Sequence, residues 1–158
     1  MSGCPSARAR AQDKAPEVTT LYDFFVYGTP RPKGSMRPFV RNDRVVVTSD
    51  NKSLKGWQHN VGSVAVIHRN RNRFGLITGP VELVLTFQLA RPKRHRDSVY
   101  HVVKPDLDKL TRAICDALTG TIYEDDNHVT RITASKDYVE NIFPSYPGVR
   151  IQVLSVLS

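Results

Sequence analysis

"PVELVLTFQLA", residues 80–90, places Val81, Leu83, Leu85, Phe87 and Leu89 on one face, the period of a β-strand with one side against a core. Its C-terminal end leads into RPKRHRDS, residues 91–98, a basic loop. Farther on, Leu107, Leu110, Ile114, Ala117 and Leu118 recur as one face of a helix, and Gly120 stands where the left-handed residue beyond a helix C-terminus belongs. A short TIY (residues 121–123) and an acidic turn follow. HVTRITASKDY and GVRIQVLSVL are then β-rich, joined by the proline-containing VENIFPSYP.

Upstream, the aromatic and β-branched run LYDFFVYG, residues 21–28, reads as the first core strand. TPRPKGSMRP carries three prolines and a glycine and reads as a basic loop. FVRNDRVVVT puts Asn42-Asp43 between two β-prone runs, a hairpin pattern. Between Asp50 and Asn70, Leu54, Trp57, Val61, Val64, Ala65 and either Ile67 or His68 form a helical stripe, with Ser49 or Asp50 as N-cap and Gly56 and Gly62 interrupting it. The expected fold is α+β: a mixed β-sheet with two main helices in a single compact domain, residues 21–158, after a flexible N-terminal tail, residues 1–20.

A chain of 158 residues has room for one core. No apolar run approaches the length of a membrane span, and the first twenty residues lack the apolar stretch of a signal peptide. Cys4 and Cys115 are the only cysteines, which fits a reducing cytoplasm and leaves Cys115 as a small thiol packed on a helix. Lys and Arg total 23 against 15 acids, for a net charge of +8, so an anionic partner is expected. The clusters HRNRNR (68–73) and RPKRHR (91–96) lie at element ends rather than along an amphipathic helix. They suit a phosphate backbone better than a bilayer, or else they are solvated loops that keep the chain soluble.

Five aspartates nonetheless fall between His101 and Val129. Asp106 and Asp108 begin the helix as N-cap and second residue. Capping and the helix dipole explain either alone, just as a polar turn explains Glu124, Asp125, Asp126 and Asn127. A helix of this length carries the chain about 20 Å away; a return strand at TIY is expected to bring the second acidic group back toward the first. Gathered carboxylates in a basic protein suit a hard cation such as Mg²⁺ or Mn²⁺, whose shell is completed by water and phosphate. Metal-assisted phosphodiester hydrolysis is the matching reaction class.

KPDLDKLTRAICDALTG followed by YEDD, with the upstream RPK and the early GTPRPKGS, resembles the signature of the RusA-type Holliday junction resolvases, in order from Phe25 to Val153. The resemblance implies a small homodimeric endodeoxyribonuclease that cuts four-way DNA junctions symmetrically with Mg²⁺ or Mn²⁺ in recombination and repair, often phage-borne. It implies Asp106, Asp108 and Asp126 as metal-binding carboxylates, Asp125 as a neighbour able to substitute, and Asp116 in a supporting or structural role. Two positions depart from the family pattern: Lys109 replaces an asparagine and Arg112 a lysine. Arginine keeps the charge and grips phosphate bidentately but does not deprotonate, so Arg112 is the expected stabiliser of the transition-state phosphate, with Lys109 or Lys136 as the alternative cation. A surface pair with Asp108 is the bland alternative for Arg112. The expected DNA contacts are Lys33, Arg91, Lys93, Arg94, Arg96, Lys104, Lys109 and Lys136. Competing readings are a nuclease for other branched DNA and a non-catalytic junction-binding protein.

Overall fold

The computed structural model describes residues 17–34, 37–41, 44–48 and 52–157. The elements run β1 (Glu17–Tyr27), β2 (Arg37–Arg41), β3 (Arg44–Thr48), α1 (Lys52–Asn72), β4 (Val81–Leu89), α2 (Leu107–Leu118), β5 (Val129–Tyr138) and β6 (Gly148–Leu157). Four strands form a mixed sheet in the order β1-β6-β4-β5, with β4 and β5 parallel and the other pairs antiparallel. The domain is α+β and compact, as expected.

β4 is central because its apolar residues continue into rows across its neighbours. Leu83, Leu85 and Phe87 pair with Val153, Ile151 and Val149 of β6, which pair in turn with Tyr22, Phe24 and Val26 of β1, and all nine are buried. Both helices pack on this apolar side: α1 through Trp57, Val61 and Ala65, α2 through Leu110, Ile114 and Leu118. His68, not Ile67, completes the α1 stripe. Its ring stacks on Phe24 at 4.8 Å, while Ile67 stays 48% exposed. The helices also touch each other, where the Gln58 amide donates to the Ala113 carbonyl at 3.2 Å. A Cβ at Gly62 would sit 3.6 Å from the Ala117 carbonyl oxygen, an ordinary contact, so α1 and α2 pack closely there without requiring a glycine.

Two boundaries differ from expectation. β1 starts at Glu17, so Glu17–Thr20, read as tail, pair with Leu157–Leu154 of β6. These residues are exposed and lack alternation, and they join the sheet by pairing with β6. The expected return strand at residues 121–123 is a turn, joined to its surroundings by single bridges from Tyr123 to Ile77 and Thr119. β2 and β3 pair antiparallel with Arg41 opposite Arg44, as the hairpin reading requires; Asn42-Asp43 and the caps Ser49 and Asp50 lie outside the described residues.

Candidate functional site

Asp106 occupies the N-cap of α2 in an extended conformation (φ −73°, ψ 137°), yet its side chain makes no capping hydrogen bond. Its carboxylate meets the Lys109 ammonium at 3.1 Å instead. That bond and charge hold the Asp106 carboxyl below the usual range, with Lys104 and Lys136 adding to the effect. Asp108 follows in the first helical turn, exposed. Leu110 and Ile114 bury the opposite face and so set the direction of both acids.

Beside Asp106 opens a cavity of about 480 Å³, lined by Arg31, Lys33, Lys104 and Lys109 as well as His101, over the apolar Pro30, Leu89 and Pro105. Distant segments are tied together to form it. The Lys33 amide donates to the Lys109 carbonyl at 3.0 Å, and the Lys33 ammonium pairs with Asp116 at 2.6 Å. The Asp116 pair joins the proline-rich loop to α2. Lys136, on β5, donates to the Val103 and Pro105 carbonyls at 2.7 and 2.9 Å, fixing the segment that enters α2. His101 is buried, and its Nδ1 has no hydrogen-bond partner among the described residues. Burial first, and the Lys136 charge second, push its pKa below that of a free histidine.

The basic loop after β4 divides into a scaffold and a surface. Arg91 turns inward: its NH1 donates to the carbonyls of His95, Arg96 and Ser98, and its guanidinium lies 3.8 Å over the Tyr138 ring. Lys93, Arg94 and Arg96 are left exposed. Arg112 is exposed on α2, and no ion pair joins it to Asp108 among the described residues, so the surface-pair reading of Arg112 is not realised.

The second acidic group stands elsewhere. Gly120, at φ +71°, ends α2, and the Thr121 and Ile122 amides bond back to the Leu118 carbonyl. Asp125 caps the one-turn 3₁₀ helix Asp126–His128, accepting from the Asn127 amide at 2.9 Å. That amide is the main cause of its lowered pKa, with Asp126 next. The chain then enters β5, where Val129 pairs with Val81 at the start of β4, whereas Lys136 and the Asp106 segment lie near the strands' far ends. The 12 residues of α2 therefore separate the two acidic groups by about 18 Å. The expected convergence within one chain does not occur, because a parallel β4–α2–β5 crossover must place the end of its helix at the start of the next strand. Among the described residues no three His, Cys, Asp or Glu side chains form a metal-binding group. Two carboxylates with open solvent beside them still match the donor set of Mg²⁺, which commonly keeps several waters.

The cluster at residues 68–73 belongs to the Asp126 end, since Arg69 donates to the Thr121 carbonyl at 2.8 Å. Arg31 and His101 were not singled out from the sequence. Arg31 carried a usable signal, lying two residues from Lys33 in the same proline-rich loop; His101 carried none.

The chain matches the endodeoxyribonuclease RusA family over residues 29–153, from the first loop of the cavity into β6. It is also 31% identical over 144 residues to the uncharacterized protein YqaN of Bacillus subtilis (strain 168), covering 84% of this chain and 95% of that one.

Proposed function

Because the chain belongs to the RusA endodeoxyribonuclease family, we propose that it resolves four-way DNA junctions by metal-dependent phosphodiester hydrolysis, in recombination and repair. The observation that carries this reading is an N-cap aspartate that caps nothing, set at the edge of a cavity ringed by Arg31, Lys33, Lys104 and Lys109. A carboxylate left out of the helix and surrounded by cations is suited to hold a metal against a polyanion.

Asp106 and Asp108 would hold the Mg²⁺ or Mn²⁺, an ion whose chemistry is to activate water and to stabilise charge on a phosphate. Lys109, paired with Asp106, favours its ionised form. Lys93, Arg94, Arg96 and Lys104 bind the DNA backbone, while Arg91 and Lys136 act from inside by fixing the loops that present these contacts. Arg112, exposed two turns into α2, grips the phosphate that reacts. Asp126 lies too far away to join Asp106 within one chain; a second copy supplies it, with Asp125 positioning the turn. Symmetric cutting of two strands calls for such a two-fold homodimer. Among the described residues no helix is long and apolar enough to cross a membrane, in keeping with action on DNA inside the bacterial or phage-infected cell.

The test is cleavage of a labelled synthetic four-way junction beside a linear duplex of the same sequence, with Mg²⁺ or with EDTA. Paired symmetric nicks in the junction alone, dependent on the metal, are expected. Equal cutting of both substrates would replace the resolvase by a broader nuclease, and tight junction binding without cuts would leave a binding protein.

A further inference from the structure

We infer that the same end of the sheet carries a stacking surface for unpaired bases at the branch point, a reading that rests on the proposed junction substrate. Four aromatic side chains stand in solvent there: Phe143 is 91% exposed, Tyr100 77%, Tyr146 61% and Tyr27 58%. Single exposed apolar residues are ordinary, but a group of them on one surface marks an interaction site.

The backbone connects these residues into one surface. The Gly28 amide donates to the Pro147 carbonyl at 3.0 Å, and the Tyr27 and Tyr146 rings meet at 5.9 Å. The buried Gln88 amide, at the end of β4, turns its NH₂ toward the loop between β5 and β6 and donates to the carbonyls of Pro144 and Tyr146. Arg91 links that loop to the basic one, reaching Glu140 at 3.8 Å while it donates to the Ser98 carbonyl; the Ser98 hydroxyl donates onward to the Tyr100 carbonyl at 2.6 Å. The loops that carry the aromatic residues are thus tied to the loop that carries Lys93, Arg94 and Arg96, and Pro92 of that loop lines the Asp106 cavity.

Charge selects the occupant. A second copy offering this face across a two-fold axis would set one basic loop against another. Nucleic acid reverses that sign. Aromatic platforms interleaved with cations bind single strands because the rings stack on bases while the cations follow the backbone. A duplex hides its base faces inside the stack, whereas a branch point offers bases that are easily unpaired. The aromatic side chains therefore contribute selectivity for branched over linear DNA, and the cations contribute affinity common to both.

The test is binding in EDTA at one fixed salt concentration, with a four-way junction, one of its single strands and a linear duplex as ligands. Tyr100→Ser, Phe143→Ser and Tyr146→Ser should each weaken binding to the junction and the single strand about fivefold or more, with duplex binding held within about twofold. The salt dependence should not change, because no charge is removed, and Phe143→Trp should bind like the parent. Equal weakening on all three ligands, or no weakening, overturns the inference. So does a shift from dimer to monomer on sedimentation, which would make the surface a contact between copies. Junction cleavage by serine variants whose binding is unchanged would remove the stacking surface and leave the nuclease; selective weakening in a protein that never cuts would do the reverse.

Discussion

Asp106 and Asp125 occupy the same position in their segments, each the N-cap of a helical turn with extended backbone angles. Asp125 uses its carboxylate as a cap does, accepting the Asn127 amide. Asp106 leaves the first amides of α2 alone and faces Lys109 and the cavity. The difference separates a carboxylate bonded to the backbone of its own turn from one paired with a side chain at the edge of a cavity, and position in the sequence does not reveal which is which.

The sharpest break between the two comes from removing charge. Asp106→Asn should bring metal-dependent junction cleavage below detection while binding in EDTA holds or tightens. Asp125→Asn, which keeps an acceptor oxygen for the Asn127 amide, should retain most of the initial rate. Equal loss in both would erase the distinction.

Next in size is the support beneath Asp106. Leu110→Ala, in the buried face of α2, should lower unfolding stability by about 2–5 kcal/mol in urea titration. Arg112→Ala on the exposed face should stay within about 0.5 kcal/mol and yet reduce cleavage. Unchanged cleavage in Arg112→Ala would end its assigned role. A smaller effect should come from Lys109→Ala, which frees the Asp106 carboxylate and should lower the Mg²⁺ concentration needed for half-maximal cutting; a raised requirement would make Lys109 a helper of the metal rather than its competitor. Lys93→Ala and Arg94→Ala should each reduce the slope of log K against log salt by about 0.9, while Arg91, turned inward, should act through loop order instead.

The smallest effect concerns pH. His101 has a folded pKa below its unfolded value, so the unfolded chain binds the proton more readily. The stability it supports is complete above about pH 6.5 and is lost as pH falls through the folded pKa. Urea midpoints at pH 5 and 7.5 should therefore differ less in His101→Gln than in the parent.

How far the sequence reveals this molecule depends on range. β4 and α2 were legible because alternation and helical spacing are local signals, and Gly120 marked its helix end through the positive φ that glycine tolerates. Glu17–Thr20 lack that alternation, although Val18, Thr19 and Thr20 are β-branched, and they extend β1 by pairing with β6. Register decided the rest. Nothing in KPDLD or YEDD says that β5 enters beside the start of β4, so the sequence let the two acidic groups meet while the parallel crossover holds them apart. Arg91 shows the same limit on a smaller scale. Its charge was plain, but its direction depended on Tyr138 and three carbonyls brought in by the fold.

The 12 residues of α2 also act as a measuring rod. In a two-fold pair that sets each Asp126 beside its partner's Asp106, the two composite sites are one helix length apart, about 18 Å or some five base-pair steps of duplex. Inserting one helical turn ahead of Gly120 would then move the paired nicks apart by about 5.4 Å, so the interval between cuts would be written in the length of a helix that never touches the bases it spaces.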